Sequence, residues 1–398
     1  MGSASFCRDA VSDLIRRILC LTLSFFILLA LCLFGAQQGL SAQPGQTGQS
    51  APPEQSIKPA DEGVISILMA SVYPADHPVT QKVWLPWIEQ IREQTGGKLQ
   101  IGLVGQDDRF TRREYFDAVR DGRLGIGHMP LSAHPGDFAY AGVFGLPSYL
   151  SNSLAGSEGF WTLFAETPEI QAEFAGIKVL GVHSSAPFQL NMTRGEIHRQ
   201  SDLRGKKILT IGSDSLKLLR ALDANPQTMP SLAFAEVLEN RSADGSFFPL
   251  IAMSNLKLVP PPSSVTLCNL RLEAFWLGMN QARYESLPPD CRAALDAGTG
   301  LAMSLAVGRA LYEANLQAQR DLVASGTAVF RISDVERRRW LDAAMPQARA
   351  AWLEKMKSLG NQGEGNSGSA TSGGNALRIY ERSREVFDAA EAKYFSYE

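Results

Sequence analysis

The sequence has few of the residues on which disulfide scaffolds and metal sites depend. It contains five cysteines in 398 residues, and only Cys268 and Cys291 lie outside the first 42 residues. Two cysteines are too few for a disulfide framework, so we expect two free buried thiols, with one disulfide bond as the alternative in an oxidising compartment. The five histidines show no spacing with cysteines or carboxylates that is typical of a metal site. We therefore predict no metal and no other cofactor.

Motifs of catalysis and of nucleotide binding are also missing. There is no Gly-x-Ser-x-Gly turn and no phosphate-binding loop, and the segment 125–127 lacks the third glycine of a dinucleotide turn. The formal net charge is −3, so no basic excess indicates a nucleic-acid partner. The protein is accordingly predicted not to be an enzyme. A secreted enzyme would require a catalytic cluster that the sequence does not show.

The first 42 residues differ in composition from the rest. Three arginines precede an apolar run at 18–36, and Leu40-Ser41-Ala42 offers small residues for cleavage. This order is typical of a secretory signal peptide, which predicts a periplasmic location. The run is also about long enough to span a membrane, so an uncleaved anchor is the alternative, and membrane contact is expected only through it. Residues 43–62 are predicted to form a flexible linker.

The order of elements after residue 63 indicates an α/β fold. Strands are predicted at 64–72, 99–104 and 124–129, with helices at 80–94 and 111–121 between them. This order predicts a parallel sheet with right-handed crossovers. Further strands are predicted at 177–183, 188–192, 207–211, 264–272, 275–280 and 328–332, and further helices at 153–167, 213–222, 232–240, 290–325, 333–359 and 376–394.

Residues 201–211, with the sequence Ser-Asp-Leu-Arg-Gly-Lys-Lys-Ile-Leu-Thr-Ile, lie between two series of α/β units. Folds of this kind place a ligand cleft where the two halves meet. We therefore expect the central strand of this stretch to border a binding site. The Gly- and Ser-rich segment 360–375, in contrast, is predicted to form no packed element.

Several stretches of the chain, in order, resemble the solute-binding proteins of tripartite ATP-independent periplasmic (TRAP) transporters, the dicarboxylate-binding-protein-like family. Residues 201–211 are similar to the family pattern Asp-Leu-Lys-Gly-Leu-Lys-Ile-Arg-Val. The resemblance covers about 64–350. The other matching stretches are 73–98, 118–126, 144–149, Glu236-Val237, Ala243-Asp244-Gly245, Gly278-Met279-Asn280 and Leu287-Pro288.

The resemblance implies a two-lobed periplasmic binding protein with a central cleft and a long helix crossing both lobes. Lobe I is expected to comprise about 63–185 and part of 276–359, and lobe II about 186–275, followed by the insert 360–375 and a C-terminal helix in 376–398. Such a receptor closes on a small solute and delivers it to a membrane permease. The alternative is a membrane-anchored sensor or scaffold protein of the same fold that no longer serves transport.

Two single positions and one pair of positions, at which the family usually supplies charged or polar recognition, carry other residues here. The family arginine that clamps a ligand carboxylate corresponds to Leu209, and a second family arginine corresponds to Gln189. Phe247 and Phe248 replace an acidic and polar pair. A carboxylate in a cleft without a cation would have an uncompensated desolvation cost of several kcal/mol. We therefore expect a neutral or largely apolar ligand, with an aromatic solute as one candidate and Gln189 orienting it.

An alignment error is the alternative explanation, since Arg194, Arg199 and Arg204 lie nearby in the sequence. Two further residues are candidate ligand contacts. Tyr73 follows the first predicted strand, where it either lines the cleft or packs on its own lobe. Cys268 occupies a position that is often polar in the family, and its alternative role is that of a small buried hydrophobic residue.

Overall fold

A computed structural model describes residues 63–134, 136, 138–255, 261–363 and 365–394. The predicted leader, 1–42, and the predicted linker, 43–62, lie outside these residues. Within the described part of the chain, no helix combines the length and the apolar character that crossing a membrane requires.

The first sheet contains five strands in the order β2-β1-β3-β10-β4. Strand β1 is parallel to β2 and to β3, as the β-α-β-α-β pattern predicts, whereas β10 is antiparallel to both of its neighbours. The five strands are β1 (Ile65–Ser71), β2 (Leu99–Val104), β3 (Ile126–Pro130), β4 (Ile177–Ser184) and β10 (Ala274–Asn280).

The second sheet contains six strands in the order β11-β9-β5-β8-β6-β7. Strand β6 is parallel to β7 and β8, and β5 is antiparallel to β8 and β9. The six strands are β5 (Phe188–Met192), β6 (Lys207–Thr210), β7 (Asn225–Thr228), β8 (Gly245–Pro249), β9 (Ser264–Leu267) and β11 (Ala328–Arg331).

Helices connect and cover the two sheets. The α-helices are α1 (Leu85–Gln94), α2 (Tyr115–Arg120), α3 (Ser153–Glu166), α4 (Pro168–Ala172), α5 (Ser213–Ala221), α6 (Phe234–Glu239), α7 (Leu250–Asn255), α8 (Gln281–Glu285), α9 (Pro289–Ala297), α10 (Leu301–Ala324), α11 (Asp334–Gly363) and α12 (Gly365–Tyr394). A π-helical turn (Thr80–Trp84) precedes α1, and 3-10 turns occur at Arg112–Glu114, Leu131–Ala133, Ala141–Gly145, Gln200–Leu203 and Ser231–Ala233.

The chain passes between the sheets at two crossovers. One lies between the end of β4 at Ser184 and the start of β5 at Phe188, and the other between the end of β9 at Leu267 and the start of β10 at Ala274. The first sheet and its helices form lobe I, and the second sheet forms lobe II. The predicted two-lobed α/β architecture is confirmed, with short strand connections available as a hinge.

Some predicted boundaries differ from the structure for local reasons. The single predicted helix at 290–325 is two helices, because Gly300 adopts a positive φ of 71° and donates its backbone N–H to the carbonyl oxygen of Leu180. Strand β7 was not predicted, because its sequence Asn-Pro-Gln-Thr has low strand propensity. It lies at the edge of its sheet, where proline is tolerated. Strand β8 was also missed.

The C-terminal helices extend into the segment 360–375. Helix α11 ends at Gly363 and α12 begins at Gly365. The two helices share a buried apolar cluster that contains Trp352 and Met356 from α11 and Ile379 from α12. This packing on both sides of the segment favours a helical hairpin over the unpacked insert that composition alone predicts.

Apolar clusters cover the sheets, and several tryptophans belong to them. Trp84, Trp87 and Trp276 are buried, while Trp161 is partly buried at the edge of its cluster. Cys268 and Cys291 are both buried and free, which confirms the prediction of two unpaired thiols.

Candidate ligand-binding site

A cavity of about 440 Å³ lies between the two lobes. Lobe I contributes the loop that follows β3 and the 3-10 turn Ala141–Gly145, and lobe II contributes the start of α5. The volume suits a small organic solute. The apolar part of its lining consists of Leu131, Phe138, Ala141, Phe144, Leu146, Pro147, Ala274, Ala348, Ala351 and Trp352, and the charged part consists of Asp214, Lys217, Glu273 and Lys355.

The two lobes approach each other closely at one edge of this cavity. A methyl group placed on Gly145 of lobe I would lie 2.5 Å from Oδ2 of Asp214 in lobe II. That distance is shorter than a normal van der Waals contact, so glycine at position 145 permits this approach. Trp352 is fixed nearby, because its indole N–H donates to the carbonyl oxygen of Ala139 at 2.9 Å.

A buried ion pair stands at the second crossover, beside the cavity. Nη2 of Arg271 donates to Oε2 of Glu273 at 2.7 Å, and the two side chains are only 1% and 7% exposed. Nη1 of Arg271 donates to the hydroxyl of Ser215 at 2.9 Å, and the guanidinium lies 4.9 Å from the centre of the Phe188 ring. The Nε of Arg271 has no hydrogen-bond partner among the described residues. Glu273 lines the cavity, whereas Arg271 lies behind it.

Sequence reasoning missed both members of this pair. The signal that could have found them is the sequence Leu-Arg-Leu-Glu-Ala-Phe at 270–275, where two charges lie two residues apart in an apolar stretch that was predicted as strands. Side chains two residues apart on an extended chain point to the same side, so these charges could have been expected to pair. Nothing in the local pattern indicated that the pair would lie at a crossover.

The structure brings three of the predicted site residues to one face of the second sheet. In the antiparallel register Gln189 is opposite Phe248, and in the parallel register Leu209 is opposite Ser246. Because paired residues share a face and faces alternate along a strand, Gln189, Leu209 and Phe248 lie on the same side. Phe247 is opposite Leu190 and lies on the other side.

The amide of Gln189 makes three hydrogen bonds within the protein. Its Oε1 accepts from the backbone N–H groups of Cys268 at 2.8 Å and Asn269 at 3.2 Å, and its Nε2 donates to the side chain of Asn269. Gln189 also lines a smaller cavity of about 260 Å³, which lies against α10 and has a mostly polar lining that includes Asn315 and Arg331. In this arrangement Gln189 holds the end of β9 in place.

Leu209, Phe247 and Cys268 are completely buried in the apolar core of lobe II, and Phe248 is 7% exposed. Burial raises the pKa of the Cys268 thiol to about 12, so the thiol is neutral at ordinary pH. None of these four residues lines the interlobe cavity. The polar and charged residues that do line it were not among the predicted contacts.

Tyr73 lies in lobe I at the end of β1, within a group of aromatic and histidine side chains. Its ring stacks on His77 with the ring centres 3.9 Å apart, and it also contacts His128 and Phe275. Burial and the negative charge of Glu273 raise the pKa of Tyr73 above its ordinary value. Tyr73 therefore packs on its own lobe rather than lining the interlobe cavity.

Two buried histidines join the ends of three strands through hydrogen bonds. Nδ1 of His183 lies 3.0 Å from the carbonyl oxygen of Ser184, so this nitrogen carries a proton. Burial disfavours the charged form of both imidazoles. In neutral His183, Nε2 accepts a hydrogen bond, and it lies 2.9 Å from Nε2 of His128. His128 then carries its proton on Nε2, and its Nδ1 accepts from the hydroxyl of Ser71 at 2.9 Å.

We expect three buried histidines, His77, His128 and His183, to make the protein less stable in acid. Burial lowers the pKa of His77 and of His183 to about 4, and burial together with the neighbouring histidines lowers the pKa of His128 well below its ordinary value. As the pH falls below about 6.5, the unfolded chain binds protons that the folded protein does not. The free energy of unfolding should therefore fall by up to about 1.4 kcal/mol per pH unit for each histidine.

Urea unfolding at a series of pH values between about 6.5 and 5 would measure this slope. Replacing His183 by Asn should reduce it by about one third, since it removes one of the three imidazoles whose pKa burial lowers. An unchanged slope in the His183→Asn protein would show that other groups cause the acid sensitivity.

The two-lobed fold with a cavity between the lobes defines the chain as a solute-binding receptor. Residues 69–355 match the family model described as DctP, bacterial extracellular solute-binding protein, family 7. The chain belongs to this family, and the predicted resemblance to TRAP solute-binding proteins is confirmed. The family is one of extracytoplasmic receptors rather than enzymes, and TRAP receptors bind small solutes and work with membrane permeases.

Individual relatives are distant. The outer membrane transporter protein TsaT of Comamonas testosteroni is 20% identical over 303 residues, which are 75% of this chain and 88% of that protein. A TRAP solute-binding protein of Rhodoferax ferrireducens T118, solved with copurified benzoate, is 21% identical with a TM-score of 0.72 and covers 83% of this chain and 99% of its own. One from Bordetella bronchiseptica, solved with (R)- and (S)-mandelate, is 22% identical with a TM-score of 0.65 and covers 79% of this chain and 99% of its own.

Proposed function

We propose that this receptor captures a small, largely apolar solute with an aromatic ring between its lobes and delivers it to a TRAP-type permease. The observation that carries the proposal is the lining of the interlobe cavity. Phe138, Phe144 and Trp352 provide aromatic surface, and Leu131 and Leu146 provide aliphatic surface. Burial of an aromatic ring against such surface is the main favourable contribution that this cavity offers to binding.

The distribution of cations argues against an ordinary dicarboxylate as the ligand. Leu209 and Gln189 stand where the family has arginines. Among the described residues that line the interlobe cavity, the cations are Lys217 and Lys355, and both are exposed. The buried Arg271 is already paired with Glu273. A doubly charged solute would therefore lose its hydration without gaining a buried cation of its own.

The relatives support an aromatic ring but not the rest of their ligands. The solved Rhodoferax and Bordetella proteins hold benzoate and mandelate, each of which has one aromatic ring and one carboxylate. The apolar lining of this cavity suits the ring. For the carboxylate, the described residues of the cavity lining include no buried cation that is free to pair with it.

Calorimetric titration of the purified protein should separate the two ligand classes. Small aromatic solutes are expected to bind at least about tenfold more tightly than succinate, malate or fumarate, which corresponds to about 1.4 kcal/mol. Phe138→Ala should weaken aromatic binding, because it removes one wall of the cavity. The matched control Phe110→Ala alters a buried phenylalanine outside the cavity and should leave the affinity of the folded protein unchanged. Tight binding of succinate would contradict the proposal.

Identifying the membrane partner of the protein would test whether it serves transport. We propose a TRAP-type permease as the membrane partner, with the leader either cleaved or retained as an anchor. Affinity purification of the full chain from membranes should recover the permease subunits. Recovery of a kinase or an assembly protein instead would favour the sensor or scaffold alternative.

A further inference from the structure

We infer that Glu273, with Asp214 facing it from lobe II, selects a ligand whose polar group donates hydrogen bonds, such as an amine, an amide or an alcohol, and disfavours one whose polar group is a carboxylate. This inference rests on the proposed aromatic solute and specifies the chemistry at the other end of that solute. The buried end of this cavity would then accept hydrogen bonds from the ligand, whereas a site built around a free arginine donates them.

The first step is the hydrogen-bonding capacity of Glu273. An ionised carboxylate accepts at about four positions and donates at none. In Glu273, Oε2 accepts from Nη2 of Arg271, and the backbone N–H of Glu273 donates to Ser185 Oγ at 2.9 Å. The remaining acceptor positions belong to a side chain that lines the cavity and is only 7% exposed. A ligand group that meets Glu273 there must donate a hydrogen bond to avoid a repulsive contact.

The second step is the charge around Arg271. Oδ2 of Asp214 lies 4.0 Å from Nη2 of Arg271, so two carboxylates flank one guanidinium. The three groups together carry one excess negative charge. Like charges repel each other, and water screens this repulsion less at a buried site than at the surface. A third carboxylate, brought by a ligand, would therefore be opposed at this end of the cavity.

The third step is the position of the lysines. Lys217 has 52% of its side chain exposed, and its Nζ lies 4.0 Å from Oδ1 of Asp214. Lys355 is also exposed. Both therefore lie at the open rim, where water screens their charge, while Glu273 is at the buried end. The rim can accommodate an acidic substituent of a ligand, but the buried end favours a donor.

A panel of four solutes with the same ring tests this polarity. Benzylamine, benzamide, benzyl alcohol and benzoate fill the cavity similarly and differ only in the polar group. Calorimetry at about pH 7 is expected to show benzylamine and benzamide binding at least about tenfold more tightly than benzoate. If benzoate binds most tightly, the inference is overturned while the proposal of an aromatic solute stands. If none of the four binds to the folded protein, both are overturned.

Two variants connect the ranking to the named carboxylates. Glu273→Gln removes the negative charge, but its amide oxygen still accepts from Arg271, and it should lower the affinity for benzylamine about tenfold and raise that for benzoate. Asp214→Asn changes a side chain that is 41% exposed, so folding should be preserved, and it should shift both affinities in the same directions by a smaller factor. The control Asn315→Ala, in the smaller cavity, should change neither. An unaltered ranking in both carboxylate variants would overturn the inference.

Discussion

Arg271→Met is expected to lower the free energy of unfolding by about 3–5 kcal/mol, which is the usual cost of removing one partner from a buried ion pair. The carboxylate of Glu273 would remain buried without its counter-ion, and the hydroxyl of Ser215 would lose its donor. The packing of the guanidinium against Phe188 would also be lost. Urea unfolding followed by circular dichroism measures the change.

The matched control removes both charges at once. In the double variant Arg271→Met with Glu273→Leu no buried charge is left unpaired, so its stability should recover most of the loss. If the single and double variants were equally unstable, the loss would come from side-chain packing rather than from the unpaired carboxylate. A single variant as stable as the wild type would show that Glu273 reaches water without Arg271.

Arg271 and Glu273 also show where prediction from the sequence ends. Strands such as β1 and β3 are predictable because their apolar runs are bounded by turns and separated by helical periodicity. The family resemblance adds the two lobes and the two crossovers. The depth at which a charge is buried depends on which segments meet, and Arg271 contacts Ser215 and Phe188, which are distant from it in the sequence.

The predicted site residues also show what the sequence alone does not predict. The family resemblance predicted Gln189, Leu209 and Phe248 as ligand contacts, and the register places them on one face of a sheet. The family resemblance could not show that the amide oxygen of Gln189 accepts hydrogen bonds from the backbone N–H groups of Cys268 and Asn269. When arginines are replaced by residues that pack, the former ligand-facing positions can join the core, and recognition then depends on other side chains.

Leu209→Arg tests this interpretation, and we expect it to destabilise the protein without creating a carboxylate site. Leu209 has no exposed surface and belongs to the apolar core of lobe II. An arginine there would be a buried charge with no carboxylate partner among the described residues of that core, which costs several kcal/mol. The expected result is a large drop in the urea midpoint and no measurable heat on titration with succinate.

Leu209→Met is the matched control, because it keeps the volume and the apolar character of the side chain and should cost less than about 1.5 kcal/mol. The comparison separates the effect of the charge from the effect of altered packing. If Leu209→Arg folded stably and bound succinate tightly, a single substitution would have restored the family site. The apolar core of lobe II would then be a ligand pocket that opens when the lobes separate, and Glu273 would not determine which solutes bind.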